Sequence, residues 1–544
     1  MKKTIAIGAS LMALAIASPG SAQSVSTLDQ TGNGNGAVVS QSGNNTSDID
    51  QNGNNNRASA NQTGNTNSSV IDQRTLGGGA FVTQNGQGNQ STIIQADTAT
   101  QNTIGLPEDP ESTVIQRGNR NQSMVNQNSA PSSYNLVANV SQSGNDNVSN
   151  IDQDASGPGF TGAIRTVLTQ TGQSVSNVVQ TAMTHNSRNL LATITQSESV
   201  SSVNQLATGQ NSNLLQVMLS QSRNSNSIIN QTATGERSGD LMADVRQTNG
   251  ASSTINQTAN GVGSVNQDAI VRQNGVNASF ITQTFDNAGS NTFLARLNQG
   301  GNGNFSNIVQ RDDGAGSALD PDTGLTADVN QTGNDNSSTL TQINRGAFAD
   351  IDQTGNSNIS NALQSGVGNR LVLLQSGNAN TSGITQTGTD NRADVLQAAR
   401  AGGASSSINQ NGRGDLAYVD QLVGSDGSTS FITQTGAGGP VSANTADVTQ
   451  SGRNNGSQVN QGGYDNGALV NQSGSGNSST INQTGTVDGL GNTASLTQSG
   501  NDNVSSILQN GSLNAATVTQ SSNSNLSTVS QTGTGGTVTV TQGF

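Results

Sequence analysis

Side chains able to do acid–base or metal chemistry are scarce in this sequence. It has one histidine, His185, and no cysteine. A Ser–His–Asp triad needs an oriented base, and a pattern in which Ser and Asp recur in unit after unit singles out no nucleophile. His185 falls in a long connection and reads as a solvated loop residue. Asp312 and Asp313 could hold a cation loosely, but side by side in an inserted stretch they read as a solvated charge pair. The Gly–Gly–x–Gly–x–Asp runs of calcium-binding nonapeptide solenoids are absent. No catalytic residue, metal ligand or cofactor is therefore expected, and the chain does not read as an enzyme.

The abundant functional group is the primary amide. Glutamines fall at 30, 41, 51, 62, 73, 84 and 95, and again at 509, 520, 531 and 542. An amide both donates and accepts, so identical amides stacked one strand apart can satisfy one another along a column. The residues expected to form such ladders are Gln62, Gln73, Gln342, Gln353, Gln364, Gln483, Gln509 and Gln531, with Asn67, Asn336 and Asn358 near the turns. Ile71, Ile93, Ile351 and Ile481 would supply a thin aliphatic seam beside them.

The elements that must position these groups are short strands. In the unit Asn67–Gln73, Asn67, Ser69, Ile71 and Gln73 share one face and Ser68, Val70 and Asp72 the other, a period of two. Ser/Thr/Asn–Gly–Asn follows most glutamines, as in Gln62–Thr63–Gly64–Asn65, and lets the chain reverse within a few residues. Self-similarity at a short recurring step reads as a solenoid. Forty-two kernel glutamines run from Gln30 to Gln542. Long connections, 15 to 21 residues between glutamines, all follow an odd-numbered strand. Two mild extensions to 13, at Gln397–Gln410 and Gln421–Gln434, fall on the other edge. Insertions confined by parity imply two strands per coil. The expected fold is all-β, a two-strand-per-coil β-solenoid of about 22-residue coils, about 21 in number, with amyloid-like stacking.

Composition agrees with a polar interior. Of 544 residues, 30% are hydrophobic, 2% aromatic and 10% charged, too little for an oily core and close to the signature of disorder. Disorder does not explain an aliphatic residue kept two places before glutamine, nor the parity of the insertions. A net charge of −14 excludes a basic nucleic-acid surface. Residues 1–22 read as a secretory signal peptide, with Lys2 and Lys3 before an apolar run from Ile5 to Ala17. Residues 23–29 read as a short polar lead-in, and 30–544 as one solenoid with longer loops on one edge, mainly over 96–330. No other segment approaches a membrane span.

The pattern Ser–x–Ile–x–Gln–x–Gly–x–x–Asn resembles the curlin repeat of the curli major and minor subunits. Ser505, Ile507, Gln509, Gly511 and Asn514 carry it in full, preceded by Asn503. Asn477, Ser479, Ile481, Gln483 and Gly485 fit as far as the glycine, and Asp488 then stands in the last place. At Ser69, Ile71 and Gln73 the strand fits while the turn departs, with Thr75 for Gly and Gly78 for Asn. Leu340 before Gln342 and Ala362 before Gln364 relax the aliphatic position.

The resemblance implies a secreted protein that leaves through curli-type outer-membrane export machinery. Outside the cell it would meet a nucleator subunit and self-associate into a pilus-like amyloid fibre for cell adhesion and biofilm matrix. Typical curli subunits have about five repeats, so this chain is an expanded relative of that pattern. The ends at Ser24–Gln30 and Thr537–Phe544 read as open strand edges suited to head-to-tail stacking. The rival expectation is a monomeric surface-binding or adhesin module that displays its long loops.

Overall fold

A computed structural model describes residues 16–17, 23–97, 110–130, 134–157, 161–286, 292–312, 324–398, 403–436, 443–487 and 490–543. The expected leader, apart from Ile16–Ala17, lies outside the described residues, as do Asp313 and Asp488. Ile16–Ala17 pairs in parallel with Ser40–Gln41. Among the described residues no helix is long and apolar enough to cross a membrane.

The protein is an all-β, two-sheet parallel β-solenoid of about 20 coils. Successive strands alternate between the sheets, so each strand pairs with those two places away. Thr46–Asn52, Ser68–Arg74 and Gln90–Asp97 lie side by side in one sheet. Gly36–Ser42, Arg57–Asn65 and Gly79–Gln87 do so in the other. Register is set by the kernel and not by connection length. Gln73 faces Gln95 after 22 residues, and Gln95 faces Gln127 after 32, in unbroken parallel register. The stretch read as a lead-in holds most of a strand, Val25–Thr31, because Leu28 and Gln30 already match Ile49 and Gln51.

Two compact units divide the chain, Met1–Arg272 with Thr284–Ser290, and Gln273–Gln283 with Asn291–Phe544. In the first, Ile49, Ile71 and Ile93 stack in register with no exposed surface. Ala60, Val82 and Val114 do the same in the opposite sheet, with at most 1% exposed. Burying each branched aliphatic stabilises by about 1.5–3 kcal/mol, which accumulates over many coils. In the second unit the same seam runs through Val329, Ile351 and Leu373, and through Val459, Ile481 and Ile507.

The first unit also contains a wider segment. Five strands there, Tyr134–Ser143, Gly162–Thr171, Arg188–Ser197, Asn213–Ser222 and Gly239–Thr248, reach ten residues. The second residue of each has positive φ: Asn135, Ala163, Asn189, Leu214 and Asp240. Beyond this bulge the inward alternation runs unbroken to the glutamine, as at Ile164, Thr166, Leu168 and Gln170. It buries Leu136, Ile164, Leu190, Leu215 and Leu241 against Ala155, Ala182, Ala207, Ala233 and Ala259 as a second apolar cluster.

The turns explain the glycine after each polar residue. Gly64 has φ of 107°, and a Cβ there would overlap the carbonyl oxygen of Gly86 in the next coil.

Candidate functional site

The groups capable of directed interaction are the interior amides. In the first unit one glutamine column runs from Gln30 to Gln257 and another from Gln41 to Gln247. Each Nε2 donates to Oε1 of the next glutamine over 2.5–3.4 Å. In the second unit the columns run from Gln283 to Gln531 and from Gln273 to Gln542, over 2.5–3.0 Å. Every one of these bonds points the same way, donor on the earlier coil and acceptor on the later.

The amide also ties the two sheets together. Gln62 Nε2 donates to the carbonyl of Thr46 at 2.9 Å, and Gln73 Nε2 to that of Arg57 at 3.2 Å, in both cases a strand of the opposite sheet. Burying a primary amide is costly unless its hydrogens and oxygen are all engaged. Glutamine has the reach to serve its neighbour along the column and the backbone across it.

Asparagine forms columns at the turns, and these donate in the opposite direction. Nδ2 and the backbone N–H of Asn67 both donate to Oδ1 of Asn45 at 3.1 Å, while Nδ2 also reaches the carbonyl of Gly86 at 3.0 Å. Asn336 stands on Asn304 in the same way, and Asn358 on Asn336. This column is interrupted. After Asn147 come Ser174 and Ser199, whose hydroxyls donate to their own turns, while the Ser174 oxygen still accepts from the Ser199 N–H at 3.4 Å.

A second asparagine column, not anticipated from the sequence, occupies the edge that carries the long connections. It includes Asn369, Asn391, Asp415, Asn444, Asn466, Asn492 and Asn514. At the atypical turn after Gln73, Thr75 and Gly78 share the asparagine's work. Asn56 Oδ1 accepts from the Thr75 hydroxyl at 2.7 Å and from the Gly78 N–H at 2.9 Å.

The structure places Gln62, Gln73, Gln342, Gln353, Gln364, Gln483 and Gln509 wholly inside the coil, at 2% exposure or less, and Gln531 at 6%. Ile71, Ile93, Ile351 and Ile481 have no exposed surface. His185 is an exposed turn residue. The reading of Asp312 as solvated is corrected: it is 1% exposed and pairs with the largely buried Arg345 at 3.4 Å. A cation 33 residues away neutralises it, a relation invisible in the local sequence.

Most other carboxylates lie on the outward-facing positions of the strands and in the turns. Asp29, Asp50 and Asp72 stand in register on successive strands. Partial burial, with repulsion from Asp72 and Asp29, pushes the Asp50 carboxyl above the usual range. Asp328, Asp350, Asp420 and Asp447 are likewise pushed up, chiefly by burial. Beside the long-connection edge of the first unit lies a groove of about 440 Å³, lined by Val137, Arg165, Leu191, Leu214 and Gln216 among others.

The fold and its ladders define a parallel β-solenoid held by directional amide columns. The curlin associated repeat matches two short segments of it, residues 368–398 and 489–521. Both are sets of three successive strands, Arg370–Asn378, Thr381–Thr389 and Arg392–Gln397 in the first, and Thr493–Gln498, Val504–Ser512 and Ala515–Gln520 in the second. No curated protein matches the chain.

Proposed function

We propose that this protein is a structural, non-catalytic subunit of an extracellular curli-like amyloid fibre that supports cell adhesion and biofilm matrix. The observation that carries this reading is the uniform polarity of the ladders. In each unit every coil offers the next the same parallel backbone edge, glutamine Oε1 acceptors on one side and Nε2 donors on the other. A second copy presenting the same groups can extend the columns with no new kind of contact. The strand Thr537–Gln542 pairs with Ala515–Gln520 along one edge, and among the described residues no strand pairs with its other edge. Its side chains are uncharged and largely exposed. Such an edge invites β-pairing. The curlin-repeat match adds the expectation of secretion by curli-type export machinery and of a nucleator subunit as partner.

The test is assembly of purified protein at low micromolar concentration, followed by thioflavin fluorescence and electron microscopy. Fibres with cross-β spacing of about 4.8 Å are expected. A chain that stays monomeric for days would overturn the reading. The groove beside the long-connection edge favours the rival reading, a monomeric module that binds a surface through that edge, and that outcome would direct attention there.

A further inference from the structure

Asp415 stands in the second asparagine column and is fully buried. Its N–H donates to Oδ1 of Asn391 at 3.0 Å, as each asparagine N–H does to the rung before it. Its Oδ1 accepts from both the N–H and Nδ2 of Asn444 at 3.1 Å. The difference lies in the other oxygen. Where Asn444 and Asn466 use Nδ2 to donate to the preceding rung, at 3.1 and 3.0 Å, Asp415 has Oδ2. That atom makes no hydrogen bond among the described residues, although the Gly436 N–H lies near enough to the carboxyl to favour its charged form.

Among the described residues no cation compensates it. On the preceding strand the Arg392 guanidinium turns outward to Asp394 at 2.5 Å. Arg413 in the same turn is exposed. The other groups shown against Asp415 among the described residues are neutral: Gln410, which donates to its carbonyl at 2.8 Å, and Asn391, Asn444, Gly412 and Gly436.

We propose that Asp415 is an acid-operated latch in the amide ladder. Protonated, it stands in for an asparagine, with Oδ2–H donating to Oδ1 of Asn391 and Oδ1 still accepting from Asn444. Ionised, it sets a second acceptor where the column needs a donor and buries a charge without a counter-ion. The proton comes from solvent and no other bond changes. Burial, opposed by the bonds from Asn444 and Gly436, pushes this carboxyl upward, in the direction the geometry requires. A group whose folded pKa is raised contributes stability that is complete in acid and is lost as pH rises through the folded value. The coils around Asp415 thus order most firmly in acid. This holds whether or not the protein forms fibres, because the latch acts within one chain.

The test is hydrogen exchange on the full-length protein and its Asp415→Asn variant, followed in peptides covering 391–398, 415–421 and 444–451 and corrected for intrinsic rates. The parent is expected to exchange there at least tenfold faster at pH 8 than at pH 4, and Asp415→Asn to be slow at both. Asp415→Ala, which loses the Oδ1 acceptor as well, is expected to be fast at both. An equal pH dependence in parent and Asp415→Asn, or none in the parent, would overturn the proposal.

Discussion

Gln73 Nε2 sits 2.8 Å from Oε1 of Gln95, and Gln73 Oε1 is itself held by Nε2 of Gln51 at 2.8 Å. Replacing Gln73 by Leu keeps the volume close but leaves the Gln51 donor and the Gln95 acceptor orphaned in a dry interior. Each orphan is expected to cost about 1–3 kcal/mol. Denaturant unfolding of Gln73→Leu should therefore show a clear loss, larger than that of a substitution at outward-facing Val70. A variant as stable as its parent would mean that the backbone and the aliphatic seam carry the stack alone.

Acid is expected to stabilise the second unit. The carboxyls of Asp328 and Asp350 lie in register on adjacent strands, and burial is the main cause pushing both upward, with repulsion from Asp352 added to both and from Asp328 to Asp350. Raised carboxyls bind protons on folding, so their contribution is present in acid and is lost as pH climbs above the ordinary carboxylate range. Both are only partly buried and stay open to solvent screening, so each is worth no more than about 1 kcal/mol. Thermal unfolding should show a higher midpoint at pH 4 than at pH 7. Asp350→Asn should narrow that difference, and an unchanged difference would assign the acid effect to other groups.

The buried pair Asp312–Arg345 gives a sharper prediction. Arg345→Met leaves the Asp312 carboxylate, 1% exposed, without its cation. Breaking such a pair from one side costs about 3–5 kcal/mol, whereas replacing both partners by apolar residues is often near neutral. The double variant Asp312→Leu/Arg345→Met should accordingly recover most of the stability lost by the single one, as read from denaturant midpoints.

How far the structure could be read from the sequence depended on the range of the signal. Ile71 and Gln73 fall on one face because strand alternation is local, and the parity of the long connections reports two strands per coil without any coordinates. The second apolar cluster was also written in the chain but went unused. Alanine recurs two places after Gln153, Gln180, Gln205, Gln231 and Gln257, and Leu or Ile six places before Gln142, Gln170, Gln196, Gln221 and Gln247. A kernel that ends at glutamine misses the alanines, and the Leu or Ile takes the place that Asn67 holds before Gln73, where the kernel expects a polar residue. Contacts made only by stacking left no local trace. Arg345 shows nothing of Asp312, nor does Asp415 show that its neighbours along the column are Asn391 and Asn444.

The bulges themselves carry strain that can be relieved. Ala163 has φ of 52°, a left-handed state that costs an L-residue about 1–2 kcal/mol. Glycine adopts it freely but loses about 0.5–1 kcal/mol of unfolded-chain entropy. Ala163 is only partly buried, so its methyl contributes little packing that would be lost. Ala163→Gly is therefore expected to stabilise the first unit by up to about 1 kcal/mol. The contrasting variant is Ala138→Gly, at a fully buried strand position of ordinary backbone geometry, where glycine should destabilise instead. Opposite signs in the two unfolding midpoints would locate the strain at the bulge, and equal signs would remove it as a feature of this fold.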